Sequence, residues 1–178
     1  MATETLRPDA AGDECAADMN EGETNCPNHY QSVYEVVADG DTTIVGTNES
    51  DYLTDLYNIA NHSVGSGTIN HVTVYAVARN GNDPSGTATL KIAIKSDATV
   101  TEDTAKVLTN SYATYSKQWA TNPADSGAWS WADIDALQVG FTMRRVGIGN
   151  RTYVTQVYVV VDFTAVVAGG RSFGSIIG

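Results

Sequence analysis

The sequence predicts an all-β protein: a jelly-roll-like antiparallel β-sandwich of eight or nine strands with one short helix near 130–137. Three observations carry that reading. Short stretches rich in Val, Ile, Thr and Tyr alternate apolar with polar residues, the period of a half-buried strand. Turn-forming clusters such as Asp39-Gly40 and NGNDPSG (80–86) separate them. Only 130–137 carries a helical period, and Trp119–Phe141, which contains it, also holds all three tryptophans. This stretch reads as the crossover that closes the sandwich.

The elements follow in order. Residues 1–29 read as an acidic N-terminal strand and arm, with a short strand near Thr3–Leu6 stopped by Pro8. Residues 9–28 are poor in large apolar residues and are expected to form an extended arm or long loop. Residues 30–163 form the sandwich, beginning with a hairpin of Tyr30–Ala38 and Thr42–Thr47. Ser50–Ile59 alternates, with Leu53, Asp55, Tyr57 and Ile59 in one phase. Ile69–Arg79 points Val72, Val74, Ala76 and Ala78 inward, and Thr87–Lys95 does the same with Leu90, Ile92 and Ile94; these two strands are expected to pair. Strands follow at 99–108, 115–119 and 139–146. Arg151–Phe163 is apolar on both faces, as a central strand would be. Ser130 is placed to cap the helix, with Asp133 three residues on in a capping-box position, and Trp131, Ile134 and Leu137 share a face. Residues 164–178 form a Gly-rich tail with apolar beads at Val166, Val167, Phe173, Ile176 and Ile177.

Charge narrows the function classes. The net charge is −11, and 13 of the 21 acidic residues lie within the first 55 positions, so a phosphate backbone is repelled and nucleic acid is not an expected partner. The longest apolar run, 157–161, is too short to span a bilayer as a helix. The N-terminus lacks a basic segment followed by an apolar one, so no secretory signal is expected, and no membrane partner. Without a secretory route, the sequons at Asn48, Asn61 and Asn150 carry no meaning.

Little in the sequence points to catalysis. No nucleophile, phosphate-loop or dinucleotide motif occurs, so no enzyme activity and no cofactor are expected. Cys15, Cys26 and His29 spell C-x10-C-x2-H, which matches no standard zinc finger and lacks a fourth ligand. A disulfide closing the polar loop between the two cysteines is the stronger reading, against two free thiols. His29, His62 and His71 read as surface residues. Asp133 and Asp135, two apart on a helix, cannot share a substrate. Asn80, Asn82 and Asp83 read as turn residues rather than a calcium loop. Nine tyrosines raise the possibility of a glycan-binding strip, although most sit where a half-buried Tyr is ordinary packing. Trp119 and one of Trp129 or Trp131 are expected to plug the end of the sandwich, leaving the other as an interface residue beside the tail beads.

Seven segments, TLRP, TDLYNI, GTINHVTVYAVAR, GTATLKIAIKS, SYATYSKQWATNP, AWSWADIDALQVGF and TQVYVVVDF, run in this order from Thr5 to Phe163. They resemble a family of small β-sandwich proteins encoded by tailed bacteriophages. The specific part is W-x-x-N-P from Trp119 followed by W-x-W-x-D-I-D-A-L-Q-x-G from Trp129. The resemblance implies a virion structural protein, made in the host cytoplasm and located in the virion. A capsid decoration or cement protein is the first expectation. A tail or head-appendage component, or a carbohydrate-binding module for host attachment, is the alternative. The implied partners are other virion proteins, with a major capsid protein foremost, and further copies of the chain. No catalytic residue comes with the family. The Cys15–Cys26 insert and the tail beyond Phe163 depart from its pattern.

Overall fold

In a computed structural model, the structure describes residues 1–16, 19, 25–64, 66–81, 86–147 and 151–166. The strands are β1 (Ala2–Leu6), β2 (Pro8–Cys15), β3 (Val45–Thr47), β4 (Leu53–Ile59), β5 (Thr68–Asn80), β6 (Thr87–Ser96), β7 (Thr99–Glu102), β8 (Lys106–Val107), β9 (Ala113–Trp119), β10 (Gln138–Val146) and β11 (Thr152–Thr164). A 3-10 helix covers Asn28–Ser32, and α1 is Trp131–Asp135.

These strands form two antiparallel sheets. One runs β1-β11-β5-β9, with β3 also on β11; the other runs β2-β4-β10-β6-β7, with β8 also on β6. Setting aside β2, β3 and β8 leaves two four-stranded sheets. In chain order their strands run first-eighth-third-sixth and second-seventh-fourth-fifth, the winding of a jelly roll. The described residues thus hold more strands than the eight or nine expected, because β2 comes from the stretch expected as an arm and the strand expected at 99–108 divides into β7 and β8.

The core lies between the sheets. Val72, Val74, Ala76 and Ala78 of β5 face Leu90, Ile92 and Ile94 of β6, all fully buried as the alternation predicts. The two strands do not pair with each other, contrary to expectation. β5 lies between β11 and β9, and β6 between β10 and β7. Two aliphatic faces bury each other better across a sandwich than side by side in one sheet. β11 is central, as expected, with β5 on one side and β1 and β3 on the other. A register shift between Val154 and Gln156 changes its phase, so Val154 joins Val157, Val159 and Val161 in the core.

Two further departures lie near the N-terminus. Residues 8–15, expected within an unpaired arm, form an edge strand on β4, with Pro8 opposite Ile59 and Cys15 opposite Asp55. Its polar sequence hides it, because the backbone ladder with β4 holds it in place. Tyr30–Ala38 is not a strand. It begins in the 3-10 helix and continues as irregular backbone, and only Val45–Thr47 of the expected second hairpin strand is extended.

The crossover from β9 to β10 is as expected. Ser130 Oγ accepts from Asp133 N, and the Asp133 carboxylate accepts from Ser130 N, a complete capping box. Ile134 and Leu137 are buried. Trp119 and Trp129 close this end of the core, with Trp129 Nε1 donating to Trp119 O at 3.1 Å. Trp131 is half-buried. Its Nε1 donates to Gly67 O at 3.1 Å and its ring meets Phe163 edge-on at 5.2 Å. Of the two candidate interface tryptophans, Trp129 is therefore spent inside the chain.

Candidate functional site

The second sheet turns one carboxylate inward. Asp55 shares its phase on β4 with Leu53, Tyr57 and Ile59, so the pleat points it at the core, where it is 0% exposed. Gly140 of β10 lies opposite Leu56, and a Cβ there would fall 1.9 Å from Asp55 O, so only glycine lets β10 approach this closely. On the other side, β2 sets Cys15 beside Asp55. The chain returns through Cys26, the cis Cys26–Pro27 peptide and the 3-10 helix, which delivers His29.

These pieces converge. Cys15 and Cys26 form a disulfide, the stronger of the two sequence readings. His29, expected at the surface, is 1% exposed, because the 3-10 helix lays it over the inward carboxylate. Its Nδ1 lies 2.7 Å from Asp55 Oδ2, 3.6 Å from Cys15 Sγ and 3.8 Å from Cys26 Sγ. Tyr57 donates its hydroxyl to the same Asp55 Oδ2 at 2.8 Å. Burial pushes the Asp55 carboxyl up from its ordinary value, against the downward pull of His29 and Tyr57. Burial and the neighbouring carboxylate push the Tyr57 phenol up as well.

Among the described residues the hub is not arranged as a nucleophile–base relay. A triad histidine uses one ring nitrogen for its carboxylate and the other for its nucleophile. Here the carboxylate and both sulfurs crowd the same Nδ1, while Nε2 is buried without a hydrogen-bond partner among the described residues. Sequence reasoning passed over Asp55, although a carboxylate in phase with three apolar residues of a strand was the signal.

A second feature lies on the outside. Residues 33–43 form a strap along β11, filling the gap between β1 and β3. Val157 N donates to Val33 O at 2.8 Å, and Gln156 Nε2 to Glu35 O at 2.7 Å. Arg7 also donates to Glu35 O. Thr155 Oγ1 reaches Asp39 Oδ1 at 3.0 Å and Thr43 O at 3.1 Å. Arg79, held between the rings of Tyr112 and Tyr153, donates to Asp41 at 2.9 Å, and the hydrogen bond from the Tyr112 hydroxyl, followed by that from Arg79, keeps the Asp41 carboxyl below its usual range. The anchored strap turns Tyr34, Val36 and Val37 to solvent, at 51%, 77% and 76% exposure. The sequence hid these residues, because VYEVV has the composition of a buried strand.

The remaining sequence candidates are dispersed. Val166 is exposed, and Val167, Phe173, Ile176 and Ile177 lie outside the described residues, as do Asn82, Asp83 and Asn150. His62 is half-buried against the Trp131 ring and bonds Asp135 Oδ1 at 2.7 Å, so Asp135 serves the loop before β5 and Asp133 serves the cap. His71 sits opposite Asp162 on the outer face. Asn80 is buried, its amide bonded to Gly86 O and Asn110. Many of the ring faces a sugar would stack on are already engaged. Tyr75 and Tyr158 stack on each other at 4.7 Å, Arg7 covers Tyr158, and Lys91 and Arg144 both lie over Tyr52. Among the described residues no helix is long and apolar enough to cross a membrane.

The fold and these features define a jelly-roll sandwich with a covalently stapled polar hub and an exposed apolar strap. Compared with protein-family models and with curated proteins, the chain matches none.

Proposed function

We propose that the chain is a structural protein of a bacteriophage virion, a capsid decoration or cement protein that acts by docking onto neighbouring subunits. The observation that carries this reading is the strap. Large apolar side chains held out in water by an anchored backbone gain free energy only when something covers them. Covering Val36 and Val37 alone is worth about 2–3 kcal/mol. The jelly roll agrees with the fold that the phage-family resemblance implies, and the hub geometry disfavours an acid–base enzyme. The partners are a major capsid protein and further copies of this chain. A tail or head-appendage position would use the same surface, and the location would be the virion.

The test is incorporation into particles. Two variants are compared with wild type: Val36→Asp with Val37→Asp, and deletion of Ala165–Gly178. Under this reading both fold, and the strap variant is lost from purified particles at least tenfold. Incorporation of both at the wild-type level would refute the docking role. The occupied tyrosine faces give no support to a glycan-binding role, and glycan binding by the purified chain would reopen it.

A further inference from the structure

The hub offers more than a staple. Nδ1 of His29 is 3.6 and 3.8 Å from the two sulfurs, and the three donor atoms lie within 4.8 Å of one another. In a tetrahedral zinc site, with Zn–S about 2.3 Å and Zn–N about 2.0–2.1 Å, the N···S edge is about 3.6 Å. The imidazole therefore already stands at ligand distance from both sulfurs. The oxygen a fourth ligand requires is also at hand. Asp55 Oδ2 touches the same Nδ1, and Asp55 Oδ1 is buried without a hydrogen-bond partner among the described residues. Spacing along the chain hid this ligand, because it comes from the next strand in the ladder.

We propose that when Cys15 and Cys26 are reduced, the hub binds a single divalent ion of the zinc class. Its ligands are the two thiolates, His29 Nδ1 and an Asp55 carboxylate oxygen, and disulfide formation expels the ion. His29 and Asp55 are buried, whereas the two cysteines are half-buried, which leaves an entry path from their side. The Nδ1 lone pair cannot serve the metal while that nitrogen bonds Asp55. Binding thus moves Asp55 from the ring nitrogen to the ion, with Tyr57 still donating to the carboxylate. The redox step balances with a small-molecule disulfide as oxidant. The metal dithiolate, RSSR and two protons give the Cys15–Cys26 disulfide, two RSH and the free divalent ion. The two cysteine sulfurs lose two electrons, RSSR gains them, and the metal keeps its charge. Metal and disulfide are then alternative staples for one loop, suited to reducing and oxidising surroundings respectively.

The experiment uses the full chain, reduced under anaerobic conditions and titrated with Co2+ as a spectroscopic stand-in for zinc. The expected result is a single cobalt per chain, with tetrahedral d–d bands and a thiolate-to-cobalt charge-transfer band. The oxidised chain should show neither. Adding oxidised glutathione to the cobalt form should release the ion with two equivalents of reduced glutathione. Asp55→Asn should weaken binding by at least the roughly 10–100-fold lost when only an outer-shell partner of a ligand is removed, and Cys26→Ser should weaken it further. The oxidised wild-type chain serves as the control should a variant fail to fold. The proposal is overturned if the reduced chain binds no cobalt, if cobalt binds without the thiolate band, or if the oxidised chain binds it equally well. Unchanged affinity in a folded Asp55→Asn variant removes Asp55 from the ligand set.

Discussion

The hub and the strap lie within thirty residues of each other, yet they break the inside–outside rule in opposite directions. The hub buries a carboxylate, an imidazole and a phenol, while the strap exposes two valines and a tyrosine. Burying polar groups is tolerable only where they satisfy one another, and Asp55 Oδ2 does this for His29 and Tyr57 at 2.7 and 2.8 Å. Exposing apolar groups is tolerable at little cost to folding, and it leaves a surface that a partner can cover. The difference separates two jobs. The hub acts on the stability of the chain itself, and under the proposed reading the strap acts on what the chain meets.

The largest effect should come from breaking the hub. Asp55→Ala strands the His29 and Tyr57 donors and should lower unfolding stability by about 3–5 kcal/mol, read from urea denaturation. Next is the staple. Cys15→Ser, measured without metal, opens a loop of sequence separation 11 and should cost about 3 kcal/mol by loop entropy. Retention of wild-type stability by either variant would reduce the hub to a bystander.

A pH series sharpens the contrast further. Asp55 is held above its ordinary value, first by burial. The folded chain therefore keeps that proton to higher pH than the unfolded chain does. Stability from this group is fully present below the unfolded value of about 4 and falls as pH rises through the folded value. The difference in stability between wild type and Asp55→Asn should shift against wild type across that window. A flat difference would mean the carboxyl is not perturbed. The smallest stability effect belongs to the strap. Val36→Asp with Val37→Asp should leave unfolding stability within about 0.5 kcal/mol, because both side chains are already in water. A larger loss would mean the valines pack against the chain rather than await a partner.

The parts legible in the sequence are those that bury one face of a regular strand. β5, β6 and β10 carry such alternation, β11 is legible by apolar residues on both faces, and the Ser130–Asp133 box marks the helix. Pairing partners were not legible. Alternation tells a strand which face is buried but not which neighbour it bonds, so β5 and β6 face each other across the core instead of lying side by side. β2 escaped because PDAAGDEC has no apolar phase, and its strand character comes wholly from the β4 ladder. The strap was misread because Val36 and Val37 have high strand propensity, a preference that context overrides. In the hub, the cysteine pair was legible and His29 was not, because its burial depends on Asp55, far away in sequence and brought near only by β2 and the 3-10 helix.

The proposed docking surface can be probed directly in the particles that the proposal places it in. A photo-crosslinking amino acid placed at Val36 is compared with one at Thr114, an exposed position on the β9 edge. Illumination of intact particles should give a strong adduct from position 36 to a virion protein or a second copy of this chain, and little from position 114. An absent adduct at 36, or equal adducts at both positions, would contradict the strap as the docking surface.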